Sequence, residues 1–134
     1  MATFDDAVDV LIIGGGPAGL TAAITVARND HTAILFDSEW YRNGPSEAIH
    51  MVPTWDGDEP HSFRVTAKHE IEETYPTVKI EQIKIESAKK EDEIFQLRDS
   101  NSHTWYGRSL ILATGVHDLL PQVPGFSNCW TKSM

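Results

Sequence analysis

The residues best placed to do chemistry in this sequence form the run Gly14-Gly15-Gly16-Pro17-Ala18-Gly19. It follows a nearly continuous apolar stretch, residues 8–13, and opens a helix-forming one. A diphosphate is held by main-chain N–H groups brought close to it and by a helix N-terminus pointing at it. Gly14 permits a tight turn after a strand. Gly16 lets the main chain approach phosphates with no Cβ in the way, and Gly19 lets the helix pack close to the sheet. Pro17 suits the first turn of that helix, where its missing N–H costs nothing. The G-x-G-x-x-G spacing is common, and its context sharpens it. Asp37 ends the next apolar run about 20 residues on, where a carboxylate grips ribose hydroxyls. Its charge disfavours a 2′-phosphate, so NADP is not expected here, while FAD and NAD both fit the loop. The bland alternative is a glycine-rich turn with no ligand and Asp37 as an exposed strand-end carboxylate.

These residues require a particular scaffold. Residues 8–13 read as a strand buried on both faces, as in a parallel sheet. A helix runs from Pro17 through Leu20, Ala23, Ile24 and Ala27, which share one face, and stops near Arg28-Asn29-Asp30. Residues 32–36 are a second buried strand. Residues 8–37 therefore form a βαβ unit, right-handed by the usual rule. Residues 38–59 have no clear period and hold turn chemistry at Asn43-Gly44-Pro45 and Trp55-Asp56-Gly57-Asp58. The stretch is too apolar for disorder, with Trp40, Tyr41, Ile49, Met51, Val52 and Trp55, and a long irregular segment of this kind is usually functional. Trp40 and Trp55 are expected to pack rather than stack on a ring. Residues 60–75 read as a helix with Phe63, Ala67, Ile71 and Tyr75 on one face. Residues 77–87, 93–98 and 103–106 alternate like strands, with turns at Lys89-Lys90-Glu91-Asp92 and Asp99-Ser100-Asn101-Ser102. They are expected to form an antiparallel meander. Residues 109–113 are a further buried strand ending at Thr114-Gly115, and the tail from Val116 is expected to be loop.

At 134 residues the chain suits one domain, 1–134, with a single core. The formal net charge of −9 argues against nucleic acid or an anionic membrane as partner. The run Glu91-Asp92-Glu93 reads as a solvated loop. Residues 1–9 carry aspartates and no base, unlike a signal peptide, and the apolar run at 10–13 is far too short to span a bilayer. A soluble cytoplasmic protein is expected. The one cysteine, Cys129, excludes an intrachain disulfide and cannot run dithiol chemistry alone. No catalytic residue and no metal-ligand set is singled out.

The segment Asp9-Val10-Leu11-Ile12-Ile13-Gly14-Gly15-Gly16-Pro17-Ala18-Gly19-Leu20 resembles the FAD loop of flavoproteins with two dinucleotide domains. Phe36-Asp37-Ser38, Tyr41-Arg42-Asn43, His50 and Thr54-Trp55-Asp56 narrow the resemblance to thioredoxin-reductase-like flavoproteins, including the fungal dithiol oxidases of the gliotoxin type. Tyr106-Gly107-Arg108 and Leu112-Ala113-Thr114-Gly115-Val116 are similar to the family's return strand and its Ala-Thr-Gly turn. The resemblance implies a Rossmann-like α/β FAD-binding fold, with a parallel βαβ start and an antiparallel meander, incomplete at its C-terminus. It also implies site roles. Gly15, Gly16, Pro17 and Ala18 would lie along the FAD diphosphate and Asp37 would bind the adenosine ribose. Arg42, Asn43 and His50 would line the path to the flavin. Ala113, Thr114 and Gly115 would close over the cofactor, and a main-chain contact to the adenine would fall near Ile83. Each has a bland counterpart: Arg42 pairing with Glu39 or Glu47, Asn43 as a turn residue, His50 as a satisfied loop histidine, Thr114-Gly115 as a strand-ending turn.

The departures from the family matter as much. Its members carry a second domain for NADPH, or its relic, with a Cys-x-x-Cys, and a C-terminal segment that completes the FAD site. Neither is found in residues 1–134, and Cys129, next to Trp130, is expected to be structural or incidental. Three readings stand open: the FAD-binding part of a thioredoxin-reductase-like oxidoreductase; a non-catalytic remnant that docks on a full-length relative or on a second copy of itself; and a small NAD-binding module, which leaves Arg42, Asn43 and His50 unexplained.

Overall fold

Apolar residues at consecutive positions in β1 (Val8–Ile13) can be satisfied only by cover on both faces, and a computed structural model, describing residues 7–130, supplies it. Val10 and Ile12 point into a core with Leu20, Ala23 and Ala27 of α1 (Pro17–Arg28) and Ile71 of α2 (Pro60–Thr74). Leu11 points the other way, into a second core with Ile34 and Phe36 of β2 (Ala33–Phe36) and Leu97 of a later strand. The Trp105 indole closes this second core in an edge-to-face contact with Phe36, their ring centroids 5.3 Å apart.

Six strands form one mixed sheet. The remaining four are β3 (Val78–Glu81), β4 (Ile85–Glu91), β5 (Ile94–Asp99) and β6 (Thr104–Leu112), and the order is β3-β2-β1-β6-β5-β4. β3, β2, β1 and β6 run parallel, while β6, β5 and β4 pair antiparallel. A parallel βαβ start and an antiparallel meander are thus both present. β1 is central, with β2 on one side and β6 on the other, so their C-terminal ends flank a crevice where an open α/β sheet binds its ligand.

The expected elements needed revision in four places. Residues 77–87 are not one stretch of the meander. α2 returns the chain beside β2, so Val78–Glu81 extends the parallel part, and the chain then crosses to the far edge to begin β4. Lys89, Lys90 and Glu91 are not a turn but the exposed end of β4, where charge on an edge strand discourages pairing with other chains. The turn falls one step later, with Asp92 in the left-handed region at φ 51°. The strands expected at 103–106 and 109–113 are the single β6, which continues through Gly107 because a Cβ there would lie 2.5 Å from Cγ of buried Leu11. The tail contains one helical turn, α3 (Phe126–Cys129). The acidic segment 1–6 lies outside the described residues, as do 131–134. No helix among the described residues is long and apolar enough to cross a membrane.

Candidate dinucleotide site

The crevice is built by three chain exits. Where β1 stops, the Gly14 N–H donates to the Phe36 carbonyl at 2.9 Å, and the Ala113 N–H donates to the Ile13 carbonyl at 2.8 Å. The turn is pinned to both neighbouring strands. Gly14 sits at φ 121°, and a Cβ on it would lie 2.1 Å from the Ala113 carbonyl oxygen, so only glycine fits. A Cβ on Gly19 would lie 1.8 Å from the Gly14 carbonyl oxygen, which draws α1 tight against the turn. Gly16 differs: it has ordinary extended dihedrals, and a Cβ on it would meet nothing within 4 Å. It is the N-cap of α1, without a side-chain cap, so the first N–H groups of the helix are left to other partners.

Above this turn lies a cavity of about 1090 Å³. Gly14, Gly15, Gly16, Pro17 and Ala18 line it, as do Arg42 and Asn43 from the segment after β2 and Ala113, Thr114 and Gly115 after β6. Ile83 and Lys84, between β3 and β4, form a third side. Ten of the thirteen expected site residues therefore share one cavity. Among the described residues, an ion pair and a ring stack cross between the segments after β2 and after β6. The Arg42 guanidinium donates to both carboxylate oxygens of Asp118, at 2.8 and 3.1 Å. The Trp40 and His117 rings stack with centroids 3.5 Å apart. Arg42 thus pairs with neither Glu39 nor Glu47, and Trp40 stacks rather than packs. Asn43 accepts from Arg64 Nη1 at 2.9 Å, so it is more than a turn residue. Trp55 does pack, edge-on to Phe63.

Three expected residues do not line the cavity. Gly19 is buried in the turn itself. His50 is exposed, with Nδ1 3.5 Å from Asp56 Oδ1. Asp37, expected to meet a ribose, is 1 % exposed and turned inward. Its Oδ1 accepts the Glu39 N–H at 2.8 Å, and its Oδ2 accepts the Tyr41 hydroxyl at 2.5 Å and the Lys68 ammonium. Burial works to raise the Asp37 pKa, but Lys68, Tyr41 and the Glu39 N–H outweigh it and hold the carboxyl below its ordinary range. Burial works against the Lys68 charge, and Asp37 and Tyr41 reverse that, raising the ammonium. The Tyr41 phenol is raised by burial and by donation to Asp37. The Arg64 guanidinium covers the Tyr41 ring at 3.8 Å from its centroid.

Lys68, Arg64 and Asp118 were not singled out in the sequence. The first two lie on the polar side of an otherwise ordinary amphipathic helix, and Asp118 meets Arg42 across a separation of 76 residues. No local signal marks either. Among the described residues, no group of three or more His, Cys, Asp or Glu could hold a metal ion.

A glycine turn between a central parallel strand and a helix, under a cavity at the sheet's switch point, defines a dinucleotide-binding α/β domain. Residues 8–133 match the family model described as pyridine nucleotide-disulphide oxidoreductase, and the chain belongs to that family. Among curated relatives it is 47% identical over 129 residues to thioredoxin reductase tcpT of Claviceps purpurea, covering 95% of this chain and 40% of the relative. It is 46% identical over 128 residues to thioredoxin reductase aclD of Aspergillus oryzae, covering 94% of this chain and 40% of that protein. The chain thus spans about two fifths of the length of these relatives. Among solved structures, an oxidoreductase from Agrobacterium tumefaciens superposes with a TM-score of 0.88 at 32% identity, over 94% of this chain and 42% of that one.

Proposed function

We propose that this chain is the FAD-binding part of a flavin-dependent oxidoreductase of the thioredoxin-reductase-like type, with dithiol/disulfide exchange as the reaction of the whole protein. The observation that carries the reading is Gly16: a Cβ there would enter open space, on a residue that lines the cavity at the helix start. Nothing in the packing of this chain demands glycine at that point, whereas close approach of a diphosphate does. The residues present fit FAD. Gly15, Gly16, Pro17 and Ala18 would lie along the diphosphate, with the N–H groups of Gly15, Gly16 and Ala18 as its donors, as the N-terminus of α1 favours negative charge. Ala113, Thr114 and Gly115 would cover it from β6, and Arg42 and Asn43 would face it from the segment after β2. The main chain near Ile83 would meet the adenine.

When bound, the flavin supplies the electron acceptor and donor, and the protein supplies position and electrostatics. Arg42 brings a cation to the cavity while Asp118 fixes its direction. Exchange with a dithiol needs an attacking and a resolving thiol. Cys129 is the one thiol of this sequence, so at least one partner thiol comes from outside residues 1–134. The finer kinship, to the fungal dithiol oxidases of the gliotoxin type, rests on Tyr41-Arg42-Asn43, His50 and Thr54-Trp55-Asp56.

The test is a titration of the purified chain with FAD, followed by flavin fluorescence, with NAD as competitor. Saturable binding at one site, with no displacement by a large excess of NAD, is expected. Displacement by NAD would favour the nicotinamide reading, and no binding of either would overturn a dinucleotide site formed by this chain alone.

A further inference from the structure

The carboxylate at the end of β2 is the expected ribose ligand, yet here it is buried and does not line the cavity. Asp37 lies beneath the glycine turn: a Cβ on Gly15 would sit 2.2 Å from Asp37 Cγ. What turns it inward comes from α2. The Lys68 side chain, 16% exposed, reaches Asp37 Oδ2 with its ammonium and also donates to the Tyr41 hydroxyl at 3.1 Å. Tyr41 donates in turn to the same carboxylate. The three groups form a closed set: one anion, one cation and one hydroxyl between them, packed under Gly15. Every buried side-chain polar atom among the described residues has a partner. Lys68 and Tyr41 thereby couple the position of α2 and of the segment after β2 to the main chain that would meet the diphosphate.

We infer that Lys68 is a positioning residue of the dinucleotide loop, holding Asp37 as an internal support for Gly15 instead of a ligand for the ribose. The inference rests on the proposed FAD site for its binding consequence, but its structural half stands apart from it. Breaking a buried ion pair from one side leaves an uncompensated charge, whereas replacing both partners by neutral groups of similar size is often nearly neutral. Lys68→Met leaves the Asp37 carboxylate buried without its cation, and its escape toward water disturbs Gly15. Asp37→Asn with Lys68→Met keeps an amide oxygen as acceptor for the Glu39 N–H, sets an amide N–H toward the Tyr41 hydroxyl oxygen in place of the lost ammonium, and removes both charges.

The test compares the parent, Lys68→Met, Asp37→Asn and the double variant by FAD titration and by hydrogen exchange at the Gly14–Gly16 amides. The expected results are FAD affinity weakened about tenfold or more in Lys68→Met, with faster exchange at these amides, and recovery of both to within about threefold of the parent in the double variant. Asp37→Asn by itself strands the Lys68 charge and is expected to weaken binding on either reading, so the double variant decides: if Asp37 binds the ribose, the double variant stays as weak as Asp37→Asn, and that result overturns the support role. If the parent takes up no FAD, the proposed function fails, and the exchange data still decide the support. Equal exchange in the parent and Lys68→Met would overturn it. Should Lys68→Met not fold, Lys68→Arg, which keeps the cation, is expected to retain parental exchange, and its failure to do so counts against the ion pair.

Discussion

Substituting Gly16 separates a binding role from a packing role with one methyl group. Gly16 has φ −79° and ψ −176°, open to any residue, and a Cβ placed there meets nothing within 4 Å. Two small effects on stability oppose each other in Gly16→Ala. Alanine is a poorer N-cap than glycine by roughly 0.5–1 kcal/mol. It also restricts the unfolded chain, which favours folding by about 0.4–1 kcal/mol. The net change is expected to lie within about 1 kcal/mol of zero. Gly19→Ala is the control, because its Cβ would lie 1.8 Å from the Gly14 carbonyl oxygen, and a backbone atom cannot swing aside as a side chain can. Overpacking of that kind costs about 3 kcal/mol, or roughly 10 °C in the unfolding midpoint of a domain this size. The order reverses for ligand. A methyl group in the path of the diphosphate forces loss of at least one charge-assisted N–H contact, about 1.5–3 kcal/mol or about tenfold to a hundredfold in Kd. Urea unfolding and FAD titration on the same preparations measure both. Gly16→Ala with parental stability and parental FAD affinity would refute the placement of the diphosphate over Gly16.

Three further outcomes are expected. Asp118→Asn should leave the unfolding midpoint nearly unchanged, since the Arg42 pair is solvent-exposed, yet speed release of bound FAD in a stopped-flow chase; an unchanged rate would remove the pair from any part in retention. Gly107→Ala should destabilise by about 2 kcal/mol in thermal unfolding, because its Cβ would lie 2.5 Å from Cγ of fully buried Leu11. Acid should weaken the fold partly through Asp37. Its folded pKa lies below the ordinary 3.8, so its contribution is complete above that pH and is lost as pH falls through the lower folded value. Urea unfolding between about pH 5 and pH 2.5 should therefore show a shallower acid decline for Asp37→Asn with Lys68→Met than for the parent, and identical slopes would deny the shift.

Much of the parallel half was legible because its signals are local. A continuous apolar run, a glycine turn, Pro17 at a helix start and a second apolar run follow one another within residues 8–36, and each restricts the backbone by itself. The meander was harder. Alternation over 77–87 is the same whether a strand joins a parallel edge or an antiparallel one, and α2 alone decides which edge Val78–Glu81 reaches. Gly107 reads in sequence as a break and in the fold as a close approach to Leu11.

The sequence by itself determined the glycine turn between β1 and α1, because glycine spacing constrains dihedrals and contacts within a few residues. It also set Ala113 to Gly115 at a strand exit beside that turn, while Arg42 and Asn43, in a segment with no period of its own, were brought toward it only by the family resemblance. Only the tertiary structure decided where the charges point. Asp37 has the right type and spacing for a ribose, yet its direction depends on Lys68, 31 positions later, and on Tyr41 beneath the Arg64 guanidinium. A buried carboxylate goes where its cation is, and no local pattern records which helix will supply one.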